Sequence, residues 1–91
     1  MSDIFRDYSF GGWISHARLE QSITLRDFAK KLGIDAGNLS RMERNETAPP
    51  RKAKRIDEIC EALGRPEMAP LLKSIALQHH IAVLQEEFLK E

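Results

Sequence analysis

Between Thr24 and Arg44 lie two short runs of apolar residues at three- and four-residue spacing, split by a single glycine. Leu25, Phe28, Ala29 and Leu32 form one stripe of an amphipathic helix, so this spacing predicts a helix over residues 25–32. Thr24 precedes the run as an N-cap, and Asp27 in the first turn suits the positive end of the helix dipole. Gly33 stands where a positive φ would end that helix. Asp35 is the next N-cap, and Leu39 and Met42 supply the inward positions of a short third helix ending at Glu43 or Arg44. Ala36, Gly37, Asn38, Ser40 and Arg41 are then left facing outward.

The rest of the chain reads in the same period. Phe10, Trp13, Ile14 and Ala17 make the stripe of a first helix that stops near Gln21 and Ser22, after which Ile23 enters the core. Trp13 is read as core. Asn45 can take a left-handed backbone, and Ala48, Pro49 and Pro50 form a stiff connector. A fourth helix is expected over about 51–63, with Ala53, Ile56, Ile59, Cys60 and Leu63 inward and Gly64 and Pro66 ending it. A final helix, from Glu67 or Pro70 to Leu89, carries two apolar faces. Met68, Leu71, Leu72, Ile75, Ala82, Val83 and Leu89 form the wider one, and Leu77, Ile81, Leu84 and Phe88 form a narrow stripe nearly opposite. With no sustained alternation of strand type, the fold class is all-α.

Composition narrows the function. At 91 residues there is room for one core, and with 31% charged residues and no long apolar run the chain is expected to be cytoplasmic, with no membrane span. Cys60 is alone, and His16, His79 and His80 have no ligand partners at metal spacing, so neither a disulfide nor a metal or other cofactor is expected. Paired carboxylates on one face, a nucleophile with a base and a phosphate loop are all missing from the sequence pattern, which argues against an enzyme. The formal charge is zero, but it is not evenly spread: residues 24–55 hold nine Lys and Arg against four Asp and Glu. The tail, 67–91, is mildly acidic.

Two short helices joined by about three residues, the second with a polar outward face, make a helix-turn-helix. Across residues 10–64, about sixty per cent of the chain, the sequence resembles the XRE family of helix-turn-helix regulators, which includes phage Cro and lambda repressor. The stretch TLRDFAKKLGIDAGNLSRMERNETAPP carries the resemblance, with LSRMERN where the family usually has a run ending in Ser-Arg-Ile-Glu-Arg-Gly. The resemblance implies a five-helix lambda repressor-like DNA-binding domain, usually dimeric, acting as a repressor or less often an activator. It also implies that Arg18 pairs with Glu43 as an architectural ion pair. Two positions depart from the pattern. Leu25 replaces a glutamine that contacts phosphate in many members, and Gly37 puts no side chain at a position that often contacts a base.

In helix-turn-helix geometry the N-terminal part of the second helix enters the major groove, so the base-reading residues are expected to be Ala36, Gly37, Asn38 and Arg41. Asn can pair bidentately with adenine and Arg with guanine, whereas Ala36 and Gly37 offer only methyl or backbone contacts. Phosphate contacts are assigned to Arg26, Ser40, Arg44, Arg51, Lys52, Lys54 and Arg55. The last four crowd the expected start of helix four, where the dipole disfavours cations and a phosphate would give them a reason to be.

The organisation expected is an N-terminal arm over 1–9, the DNA-binding domain over 10–66 and a dimerisation helix over 67–91. Leu77, Ile81, Leu84 and Phe88 are assigned to the homodimer interface, which would set two recognition helices over successive major grooves of double-stranded DNA. The alternative is an antitoxin or other protein-interaction module that docks a toxin-like partner on the same helix.

Overall fold

A computed structural model describes residues 9–90, so of the expected N-terminal arm only Ser9 lies within the described residues. The chain is all helical: α1 (Phe10–Glu20), α2 (Leu25–Leu32), α3 (Ala36–Glu43), α4 (Ala53–Ala62), a 3-10 turn (Pro66–Met68) and α5 (Ala69–Leu89). No strand occurs among the described residues. The caps account for most of the boundaries. The hydroxyls of Ser9 and Thr24 accept from Gly12 N at 3.1 Å and Asp27 N at 3.0 Å, and the Asp35 carboxylate accepts from Gly37 N at 2.8 Å. Gly33 and Gly64, each at φ 70°, end α2 and follow α4.

Phe10, Ile14, Phe28, Leu39, Ile59, Leu63 and Leu72 make the centre of the core, each nearly or fully buried. At about 1.5–3 kcal/mol for each large apolar side chain removed from water, this cluster is the main source of cohesion. Cys60 belongs to it: burial pushes its thiol up to about 11, so it behaves as a small hydrophobe. The side-chain amide of Gln21 donates to the carbonyls of Ala17 and Leu63, joining the end of α1 to the end of α4.

Two expectations are corrected. Helix α4 begins at Ala53 rather than Arg51, because Lys52 keeps extended backbone as a cap residue without a side-chain acceptor to offer. Ala53 is consequently exposed instead of inward. On α5, the wider apolar face packs on the core only in its first half, where Leu72 is buried and Met68, Leu71 and Ile75 are half-buried. Further along, Ala82 and Leu89 are exposed and Val83 is half-buried. The cause is length: the 21 residues of α5 span about 32 Å, twice the length of α1 or α4, against which it packs. No helix of the described residues is long and apolar enough to cross a membrane.

Candidate nucleic-acid interface

Helices α2 and α3 meet at a tight turn. Gly33 N donates to Lys30 O at 3.1 Å and Ile34 N to Ala29 O at 3.0 Å, so the last carbonyls of α2 are satisfied while the chain reverses. Buried Phe28, Ala29 and Leu39 hold the two helices together from within. The outward face of α3 then carries Asn38 and Arg41, both exposed, with Gly37 and Ser40 half-buried beside them and Ala36 partly packed on the core. The Arg41 guanidinium donates to Asn38 Oδ1, so the two expected base readers form one unit. Asn38 keeps its amide donors for a base edge, and Arg41 keeps the rest of its donor fork. At the tip of α3 the Asp35 carboxylate takes Gly37 N and Asn38 N. These free amides are thereby used internally, and an anion is disfavoured at that tip.

Helix α3 is aimed by α1 through three contacts. At one end, the Arg18 guanidinium donates from Nε to Glu43 Oε2 at 2.8 Å and from Nη2 to Glu43 Oε1 at 2.9 Å, a bidentate pair. Arg18 Nη1 also donates to Ile23 O at 2.9 Å. Arg18 is 9% exposed, and Glu43 holds its pKa above the usual guanidinium value. Further along, Gly11 lies against the last carbonyls of α3: a Cβ there would stand 2.6 Å from Glu43 O and closer still to Met42 O. Finally Asn45, at φ 60°, places its side-chain oxygen 3.0 Å from Gly11 N and its amide 2.6 Å from Ser9 Oγ.

The basic residues separate into two groups. Arg26, Lys52 and Lys54 are exposed, as is Arg51, which sits at a bend in the connector before α4. Arg44 is exposed but pairs with Glu46 at 3.2 Å, a solvated contact that a phosphate can displace at little cost. Arg55 departs furthest from expectation. Its guanidinium is half-buried, pairs with Glu58 at 3.0 Å and donates toward Leu32 O at 3.4 Å at the end of α2. Lys31 similarly reaches Ala62 O at the end of α4, at 3.4 Å. These two cations sit at helix C-termini, where the dipole favours them. Since Arg51 and Lys52 precede α4, the crowding expected in its first turn reduces to Lys54 and Arg55.

Sequence reasoning missed Gly11 and the reach of the Asn45 side chain. The only available signal was the Ser9-Phe10-Gly11-Gly12 start, in which a capping serine meets two glycines. Also missed was the hydrogen bond between His80 Nε2 and Pro49 O, 3.0 Å, which fastens α5 to the connector. The narrow stripe Leu77, Ile81, Leu84 and Phe88 is exposed along its length. Among the described residues no group of three or more His, Cys, Asp and Glu is arranged to hold a metal ion.

Residues 14–67, more than half of the chain, match the model of a family described as helix-turn-helix. No curated protein and no solved structure matches the chain.

Proposed function

The chain belongs to the XRE/lambda repressor-like helix-turn-helix family and is a DNA-binding regulator of that type, and from this premise we propose that it is a homodimeric repressor of a pseudo-palindromic operator. The observation that carries the reading is the Asn38–Arg41 unit, exposed on a helix whose direction three contacts with α1 fix. Positioned side chains of these types suit adenine and guanine edges in the major groove. To Arg26, Arg44, Arg51, Lys52 and Lys54, all exposed, we assign the phosphate contacts, with Ser40 as a neutral donor. Arg55 acts within the fold.

Two substitutions test the assignment. Lys54→Ala is expected to weaken binding to all duplexes alike and to make the slope of log affinity against log salt shallower by about one. Arg41→Ala is expected to relax preference at one base pair by about 1–3 kcal/mol. Because Arg41 orients Asn38, preference at a second base pair also falls, so Asn38→Ala and the double variant will not add. Binding of both single variants indistinguishable from that of the parent would contradict this recognition surface.

The homodimer reading rests on the exposed stripe of α5, which one chain leaves uncovered. A C2 pair would set two α3 helices about 34–36 Å apart, one turn of duplex. The same stripe favours a second reading, an antitoxin-like module with a toxin on α5. Operator recognition by the isolated chain separates the two.

A further inference from the structure

The α5 stripe borders a cavity of about 330 Å³ between α4, α5 and the connector. Pro50, Ile56, Ala76 and Leu77 line it, with Arg51 and Lys73 supplying positive charge. Lys73 is already bonded to Asp57 at 2.9 Å, so Arg51 carries the surplus charge there. At 3.6 residues per turn, Leu77, Ile81, Leu84 and Phe88 fall within about 60° of one another. Lys73, His80 and Glu87 follow on a single flank, within about 90° of the stripe's centre. This flank adjoins the cavity, which Lys73 and His80 also line.

The charges run unevenly along α5, with Lys73 in its first turns and Glu86 and Glu87 near its end. A parallel pairing with a second α5 would leave each Glu87 level with its own copy, at the far end of the helix from the positive edge of the cavity. An antiparallel pairing brings it toward the positive edge of the cavity, and also opposes the helix dipoles favourably. With the two-fold axis passing Ile81, Phe88 of the second copy comes level with Ser74, next to Lys73 at the cavity. Glu87 of the second copy comes level with Ile75. A two-fold axis perpendicular to both helices keeps the Glu87 flank of one helix on the same side as the Lys73 flank of the other.

We propose that a second copy of this chain docks antiparallel along α5, its Phe88 ring filling the cavity between Pro50, Ile56 and Ala76 and its Glu87 facing Arg51. This rests on the homodimer reading and adds its orientation and its anchor, an aromatic side chain in an apolar pocket with a charged rim. Two such insertions occur, one per copy. The pocket wall includes the connector that carries Arg51 and Lys52, so pairing of the two chains braces the segment expected to hold phosphate.

Disulfide trapping in full-length Ile81→Cys and Phe88→Cys variants tests the arrangement, with sedimentation of the parent alongside. The native thiol, Cys60, is buried, so the parent serves as the uncrosslinked control. Antiparallel docking brings the two copies of position 81 together, near the 4.4–6.8 Å Cα range of a disulfide, and holds the copies of position 88 about 21 Å apart. Ile81→Cys is therefore expected to crosslink and Phe88→Cys not to. Phe88→Ala should raise the dimer dissociation constant about 30-fold or more. A parent dimer in which Phe88→Cys crosslinks, whether or not Ile81→Cys does, would overturn the antiparallel orientation and leave the homodimer reading standing. A dimer that crosslinks at neither position would overturn the use of α5. A parent that stays monomeric would overturn both readings.

Discussion

Glu43→Ala is expected to lower the free energy of unfolding by about 3–5 kcal/mol, because it strands the Arg18 guanidinium in a site that excludes most water. Both side chains are close to buried, at 10% and 8% exposure, and both oxygens of Glu43 accept from Arg18. What remains for Arg18 is one bond to Ile23 O. The cost arises from the unpaired charge rather than from the worth of the pair. Arg18→Leu with Glu43→Leu should accordingly cost far less than the two single substitutions summed. Urea denaturation of the three variants checks this. A loss below about 1 kcal/mol for Glu43→Ala would mean that the pair behaves as a solvated surface contact. Losses that simply add would mean that the two residues are not coupled. For a chain of this size, whose total stability is about 5–14 kcal/mol, the expected single-variant loss is a large share of the whole.

Gly11→Ala is the second large effect, and competing terms decide its sign. Inside a helix, alanine in place of glycine gains about 0.5–1 kcal/mol from a stiffer unfolded chain and better propensity. Here the new methyl would stand 2.6 Å from Glu43 O and 2.7 Å from Glu43 C, with Met42 O nearer still. These are backbone atoms at the end of α3, which are held by Arg18 and Asn45 and cannot yield as a side chain would. Overpacking of this kind costs about 1–3 kcal/mol and occasionally more, so the net is expected to be a clear destabilisation. Because the displaced element is the recognition helix, operator affinity should fall further than the unfolded fraction accounts for. Thermal unfolding and binding measured on the same preparation check both parts. A variant as stable as the parent would contradict the close approach of α1 and α3.

These two positions also show where sequence is and is not informative. Helices α2 and α3, their caps Thr24 and Asp35 and the left-handed Gly33 were legible, because each follows from local chemistry within one or two turns. Gly11 was not legible, since a glycine in a helix looks like a weakness until the helix that crosses it is known. Asn45 was half legible: its positive φ follows from its residue type, but the reach of its side chain to Gly11 N depends on how α1 crosses α3. Periodicity on α5 identified a narrow stripe at Leu77, Ile81, Leu84 and Phe88, which is exposed, yet it also grouped Ala82, Val83 and Leu89 on one face with Leu72, which alone of these four is buried. An angular pattern says which way a side chain points and is silent on whether the neighbouring helices extend that far. Counting cations likewise could not separate Lys54, which is exposed, from Arg55, which is tied to Glu58 and the end of α2.

Selection of random duplex DNA by the full-length protein at about 150 mM salt, near physiological ionic strength, tests the central claim most directly. The prediction is enrichment of an inverted repeat with half-sites one helical turn apart, each centred on base pairs whose preference shifts in Arg41→Ala. A folded preparation that enriches no sequence would contradict the claim that Asn38 and Arg41 on α3 read an operator.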